Sequence, residues 1–177
     1  MTEFTTITVD DAEVLSALRS LAARGQNMQP VFMAIGEAMM ESTKKRFESS
    51  TAPDGSRWAA NSAHTIAAQL ASHSKTRKKD GGLSAKGRLM VASKKPLVDS
   101  GVLADTIRFV ATAGGVTIGT NRFSTEITGG AAVHQFGTTR AGRGGSVTIP
   151  ARPFLGFSAA DRSEVVSLIH HYLTSSL

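Results

Sequence analysis

A strongly basic stretch divides this sequence into two parts with different periodicities. From His73 to Lys95 the chain carries eight basic side chains against one acid, Asp80, whereas the net charge of all 177 residues is only +6. The rest of the chain is therefore close to neutral. From residue 75 onward the stretch has no regular apolar spacing, which a packed helix or strand requires. We therefore predict that residues 59–95 form a long, basic, extended loop.

The part before the basic stretch, residues 9–50, is predicted to be helical. Apolar residues at helical spacing indicate a first helix over 9–24, with Asp10 or Asp11 as its N-cap. A second helix begins at Pro30, because proline suits the first helical position. The apolar stripe of this second helix consists of Val31, Phe32, Ile35, Met39, Thr43 and Phe47. Within the basic loop itself, the pattern allows one short helix, over 63–72.

The part after the basic stretch, residues 96–177, is predicted to contain strands. Two of them, over 106–111 and 116–120, are joined by a short segment that contains Gly114-Gly115, which is typical of a hairpin turn. A further strand covers 147–149, after a glycine-rich tip at 142–145. We expect these strands to form one small, mostly antiparallel sheet.

The same part is predicted to end in a helix. Ser158 is its N-cap, and Asp161, three residues later, is the partner that completes a capping box. Residues 131–136 are expected to make one or two helical turns that end at Gly137. The length and pattern predict a single α+β domain, 1–177, in which N-terminal helices and a C-terminal helix pack on the small sheet.

The residue types needed for catalysis or metal binding are present without the required spacing. The sequence has no cysteine, which excludes disulfides, cysteine zinc sites and thiol nucleophiles. No two of the five histidines stand three or four residues apart, as metal ligands on a helix do. Asp99, Ser100 and His134 supply the types of a triad, but Ser100 is not on a Gly-x-Ser-x-Gly elbow. We therefore expect a protein that is not an enzyme and has no cofactor.

The basic stretch has two interpretations. It can contact the phosphates of a nucleic acid, in which case its affinity falls steeply with salt. It can also be a solvated linker, because no aromatic residues for base stacking are interleaved with its charges. No apolar run approaches the length of a membrane span, so a membrane partner is not expected. The candidate contact residues are Lys75, Arg77, Lys78, Lys79, Lys86, Arg88, Lys94, Lys95, Arg140 and Arg143.

Five short motifs follow one another in the sequence. They are Pro53-Asp54-Gly55-Ser56-Arg57-Trp58, Leu97-Val98-Asp99-Ser100-Gly101-Val102-Leu103, Val116-Thr117-Ile118-Gly119-Thr120, Ala132-Val133-His134-Gln135-Phe136-Gly137 and Ile149-Pro150-Ala151-Arg152-Pro153-Phe154-Leu155-Gly156. Proline, aspartate and glycine in the first of them predict a tight turn. Large aromatic residues bury easily, so we interpret four residues of these motifs as core and corner residues, with direct contact to a partner as the alternative. They are Trp58, Phe136, Arg152 and Phe154.

In this order, the motifs resemble the phage virion morphogenesis family, which includes the Mu G protein and the P2 tail completion protein S. They are more distantly similar to the ring-forming tail-component family of lambdoid phages. The resemblance covers about residues 30–173, and the basic stretch is its least matched part. One departure is the run Gly129-Gly130-Ala131-Ala132, where the family usually has an aromatic residue.

The resemblance implies a structural role in a phage particle at the head–tail interface, in an assembly built in the host cytoplasm. Tail completion, head–tail joining at the neck and tail termination all remain open. The expected partners are further copies of the chain in a ring, for which a hexamer is the expected form, and the neighbouring head-connector and tail-tube proteins. Genomic DNA in the ring lumen is a further expected partner, with the basic stretch facing either the DNA or an adjoining ring. The alternative function is a nucleic-acid-binding protein that uses residues 75–95.

Overall fold

The longest helix, α2 (Gln29–Ser49), is the element on which most of the protein packs. The structure is a computed structural model and describes residues 12–122, 130–142 and 144–175. The predicted stripe of α2 lies in the core, since Val31, Ile35 and Met39 are all buried there. Pro30 lies in the first turn of α2, as expected. The 3.6-residue spacing therefore identified both the helix and its buried face.

The first and last helices pack on each other. Helix α1 (Ala12–Gln26) precedes α2 in the chain and contacts α7 (Ala159–Thr174), and α7 also packs on α2. The predicted capping box of α7 is confirmed: Ser158 Oγ accepts from Asp161 N at 3.1 Å, and Asp161 Oδ2 accepts from Ser158 N at 2.7 Å. The apolar residues on one face of α1 are mostly exposed, Val14 and Leu18 among them, and none of them is buried. The predicted N-caps of α1 lie outside the described residues.

The α+β class is confirmed, but the strands form two separate antiparallel hairpins and not the single small sheet that was expected. The first consists of β1 (Ile107–Thr112) and β2 (Gly115–Thr120), and it lies on α2. The second consists of β3 (Thr138–Ala141) and β4 (Val147–Ile149). The sequence indicated β4 but not β3, which is only four residues long and shows no alternation of apolar residues.

A glycine allows the first hairpin to approach α2 closely. A Cβ atom added to Gly36 would lie only 2.2 Å from Cδ2 of Phe109 on β1. The ring therefore occupies the space that any other side chain on this face of the helix would need. This explains a glycine inside a helix, where it normally weakens the helix by about 1 kcal/mol relative to alanine.

We expect Gly36→Ala to destabilise the protein by about 1–3 kcal/mol, because the added methyl group must displace the ring of Phe109. The free energy of unfolding in urea measures the effect. Gly25→Ala is the matched control, since nothing lies within 4 Å of its Cβ position and it also belongs to a helix. The control should be neutral or slightly stabilising. An equal loss in both variants would contradict the close approach.

The prediction that residues 59–95 form an extended loop is wrong. These residues contain α3 (Ala63–Ala71), which the pattern allowed, and also α4 (Ala85–Ser93), which was not predicted. Helix α4 is held by local capping rather than by an apolar stripe: Ser84 Oγ accepts from Gly87 N at 3.1 Å. Gly87 is buried against the backbone of Thr76, so close that a Cβ would lie 2.1 Å from its carbonyl oxygen. Such contacts leave no periodic signal in the sequence.

The remaining elements are short. Helix α5 (Val102–Asp105) leads into the first hairpin, and α6 (Ala131–Phe136) leads into the second. Gly137 ends α6, as predicted. Among the described residues, no helix is long and apolar enough to span a membrane.

Candidate functional site

Three of the sequence motifs meet at one corner of the fold. The corner, defined as residues 152–156, forms hydrogen bonds with three distant elements. Trp58 Nε1 donates to the carbonyl oxygen of Pro153 at 2.8 Å, and Arg46 Nη1 donates to that of Phe154 at 2.8 Å. The backbone N–H of Arg152 donates to the carbonyl oxygen of His134 at 2.7 Å. The corner therefore joins α2, the turn after α2 and α6.

Gln135 fastens α6 to the corner through both ends of its amide. Its Oε1 accepts from the backbone N–H groups of Phe154 and Leu155, each at 3.0 Å. Its Nε2 donates to the carbonyl oxygen of Leu155 at 2.9 Å. These bonds satisfy backbone groups that would otherwise be partly buried without partners.

Arg152 connects the corner to the chain that follows Trp58. It is buried, and its Nε and Nη2 donate to the carbonyl oxygens of Ala59 and Ala60 at 2.7 and 2.8 Å. Burial lowers the pKa of Arg152. Its partners are thus backbone carbonyls, which makes the side chain a structural connection between two segments.

An aromatic cluster fills the inside of the corner. The ring of Phe47 lies 5.3 Å from that of Trp58, edge to face, and 5.4 Å from that of Phe154. All three side chains are buried, and Phe154 has no exposed surface. Aromatic pairs in such arrangements are attractive beyond the area they bury.

The tight turn before Trp58 packs on the end of the corner. Asp54 Oδ1 accepts from the backbone N–H and the hydroxyl of Ser56 at 2.9 and 2.6 Å, and these bonds lower the pKa of Asp54. Gly55 has a φ of 85°, as a turn of this type requires. A Cβ on Gly156 would lie 2.9 Å from Cγ of Pro53. The first and last motifs are therefore in contact.

A buried ion pair, which the sequence analysis missed, lies next to the corner. Arg46 donates through Nη2 to Asp161, and Ser42 Oγ donates to the other carboxylate oxygen of Asp161 at 2.6 Å. Burial alone would raise the pKa of Asp161, but the bonds from Ser42 and Ser158 and the charge of Arg46 hold it below its usual value. The available signal was Arg46 itself, a cation adjacent to the buried stripe of α2.

Phe136 does not lie in the core, the kind of position that the sequence favoured over direct contact with a partner. Its side chain is 78% exposed, although both neighbours are fixed. Gln135 is bonded to the corner, and Gly137 has a φ of 74° with a Cβ position 2.7 Å from the backbone nitrogen of Ala151. The structure therefore presents a large apolar ring to solvent from a rigid backbone. Exposed aromatics of this kind are enriched at protein interfaces.

A cleft of about 1370 Å³ lies on another side of α6. Its walls include Ala68 and other residues of α3, Leu97 and Val98 before α5, and Val147 on β4. His134 also lines the cleft. Residues two apart on a helix do not face the same way, so the cleft and the exposed ring of Phe136 occupy different sides of α6.

His134 is half-buried between the cleft and the corner. Its Nδ1 is buried and has no hydrogen-bond partner among the described residues. Burial lowers the pKa of His134, and the nearby charge of Arg152 lowers it further. The imidazole is therefore held neutral. In the part of the chain that the structure describes, no group of three or more metal-ligating side chains occurs.

The structure divides the predicted basic contact residues into two groups. Six of them lie together on the segment formed by α3, α4 and the turn between them. The others are elsewhere: Lys94 pairs with Asp99 at 2.5 Å, Lys95 Nζ donates to the carbonyl oxygen of Glu48 at 2.7 Å, and Arg140 is on β3. The pairing lowers the pKa of Asp99. Arg143 lies outside the described residues.

Gly101, from the second sequence motif, precedes α5 as its N-cap and has a φ of 80°.

Comparison with known proteins gives one family and one curated relative. The sequence profile of the phage virion morphogenesis family matches residues 9–174. The chain is also 37% identical over 92 residues to the Mu-like prophage FluMu G protein 2 of Haemophilus influenzae. That match covers 52% of this chain and 62% of the relative. No solved structure matches the chain.

Proposed function

The chain belongs to the phage virion morphogenesis family, and from this membership we propose that it acts at the head–tail junction as one subunit of a ring. The coarser role, a structural protein of the phage particle, follows from the family and from the Mu-like relative. The ring and its place at the neck of the particle are the proposed part.

The proposal of a ring-shaped oligomer is carried by two features of α6. The phenyl group of Phe136 is exposed on a rigid backbone, and a cleft lies on another side of the helix. A projection and a cleft on different sides of one molecule allow head-to-tail contact between identical copies. Contacts of this kind close into a ring or extend into a filament, depending on the rotation between neighbours. In the proposed contact, Phe136 of one subunit enters the cleft of the next.

The same arrangement accounts for the neighbours expected at the junction. A ring has two faces, and each face can contact the proteins on one side of the junction. We propose that the head connector meets one face and the tail tube the other, with a hexamer as the expected ring. Tail completion and tail termination differ in which neighbouring proteins the ring contacts.

We expect Phe136→Ser to abolish self-assembly without unfolding the protein. Removing a central aromatic anchor costs an interface about 2 kcal/mol or more, which is roughly a thirty-fold loss of affinity. Mass in solution, measured by light scattering over a range of concentrations, should show a species of several subunits for the original protein and a monomer for the variant. Phe157→Ser is the matched control, because Phe157 is also an exposed phenylalanine. The control should assemble normally.

A mixing experiment identifies the contact itself. Ala68→Arg places a long charged side chain in the cleft and should also give a monomer. In an equal mixture of the two variants, Ala68→Arg supplies an intact Phe136 and Phe136→Ser supplies an intact cleft. It should therefore form dimers and nothing larger. An original protein that stays monomeric at every concentration, or a mixture that stays monomeric, would contradict this contact.

A further inference from the structure

The basic stretch folds into a unit of its own. We call residues 62–93 the basic arm; it comprises α3, α4 and the turn between them. The two helices pack chiefly on each other. Leu70, Thr76 and Gly87 are buried between them, and Thr76 Oγ1 donates to the carbonyl oxygen of Leu70 at 2.8 Å. A solvated linker would not have this internal packing.

The turn between the two helices is also ordered by hydrogen bonds. The backbone N–H of Lys78 donates to the carbonyl oxygen of Gly82 at 2.8 Å, and Arg77 pairs with Leu83 as an antiparallel bridge. Lys75 adopts a left-handed conformation, with a φ of 62°. The positions of the charged residues along the arm are therefore fixed by its backbone.

The cations of the basic arm have no acidic partners. The ion pairs among the described residues are Lys45 with Glu41, Arg46 with Asp161 and Lys94 with Asp99, all outside the arm. The one acid in the arm, Asp80, uses its Oδ1 to accept from the backbone N–H of Gly82 at 2.9 Å. The exposed cations of the arm are Lys75, Arg77, Lys78, Lys79, Lys86 and Arg88.

Six like charges on a small folded unit repel one another, and the single acid of the arm, Asp80, offsets only part of this repulsion. A polyanion would offset it. The arm contains no aromatic residue, so it lacks both the stacking surface for single-stranded bases and the aromatic anchor of a typical protein interface. What it offers is charge alone. The phosphate backbone of duplex DNA, with one negative charge per about 1.7 Å of helix, matches that chemistry.

We propose that the basic arm binds the phosphate backbone of duplex DNA without regard to sequence. The binding belongs to the single subunit and does not need the ring, although a ring would place several arms along one DNA molecule. Cations that neutralise phosphates release condensed counterions, so the affinity depends steeply on salt. With about four to six phosphates neutralised, the logarithm of affinity should fall with the logarithm of salt with a slope of about −4 to −5.

The test uses the full chain carrying Phe136→Ser, so that DNA binding is measured separately from self-assembly. Fluorescence anisotropy reports the affinity for two duplexes of unrelated sequence, between 50 and 200 mM KCl. Replacing Lys75, Lys78 and Lys79 by glutamine should reduce the magnitude of the salt slope by about 2.7 and weaken binding at low salt about a hundred-fold or more. These three side chains are exposed and cap no helix, so the variant should stay folded.

The control is a second triple variant, which removes three positive charges outside the basic arm. Arg19, Arg57 and Arg162 are exposed and lie outside the arm, and their replacement by glutamine should change the affinity no more than about three-fold. Equal affinity for the two duplexes is expected. Failure to bind at 50 mM KCl, or an equal loss in both triple variants, would overturn the proposal. Polyglutamate that competes as well as DNA at matched charge would also overturn it, in favour of an acidic protein partner.

Discussion

Replacing Asp161 by alanine is expected to lower the free energy of unfolding by about 3–5 kcal/mol, because Arg46 would then be a buried cation without its partner. The change also removes the carboxylate from the capping box of α7 and leaves Ser42 without its acceptor. Urea unfolding at neutral pH measures the loss. A variant with alanine at Glu164 is the matched control: this carboxylate is exposed on the same helix, and its removal should cost less than about 0.5 kcal/mol.

The pH dependence of stability tests the charge of Asp161 separately from its shape. Its pKa in the folded protein lies below the unfolded value of about 3.9. The stability that it contributes is therefore fully present above that pH and is lost as the pH falls through the folded pKa. Asp161→Asn keeps the shape and should lack this part of the acid sensitivity. The difference in the free energy of unfolding between the original protein and Asp161→Asn should thus narrow below about pH 3.9. A constant difference down to pH 2 would contradict the pairing.

Secondary structure was predictable where buried apolar residues recur at a regular spacing or where capping residues mark the start of a helix. The stripe of α2 and the capping box of α7 follow from spacing and residue type alone. The basic arm was missed because its second helix is held by Ser84 and by the close packing of Gly87, and such contacts have no periodic signature. Its charge marked the segment as unusual, but not as folded.

The candidate interface was only half predictable. The sequence marked the motif of Phe136, yet the tendency of aromatic residues to be buried pointed in the wrong direction for this side chain. Its exposure is a consequence of its two neighbours: Gln135 is bonded to the corner, and Gly137 is packed against the backbone of Ile149 and Ala151. Only three-dimensional packing decides which residue of this short helix is left outside.

The corner explains how a small domain can hold an exposed apolar ring in place. Side chains from α2, from the turn after it and from α6 converge on residues 152–156. A rigid backbone at Phe136 lowers the entropy that an interface would lose on binding. In the proposed ring, different residues of this region would carry the stability of the fold and the contact between subunits, and variants of each can be compared.

Trp58→Ala is expected to destabilise the protein by about 3–5 kcal/mol, as removal of a buried tryptophan does. The indole is buried against Phe47, and its N–H satisfies the carbonyl oxygen of Pro153 at 2.8 Å. Trp58→Phe keeps much of the ring packing but leaves that carbonyl without its donor, which should cost about 1–3 kcal/mol. Urea unfolding of the two variants separates the packing from the hydrogen bond.

Phe136→Ala provides the opposite comparison. It also removes an aromatic ring, but one that is 78% exposed, so the free energy of unfolding should change by less than about 0.5 kcal/mol. Self-assembly should respond in reverse order, with Phe136→Ala losing it and Trp58→Phe keeping it under conditions where both are folded. If both aromatic residues proved equally important for stability, Phe136 would belong to the core and could not be the anchor between subunits.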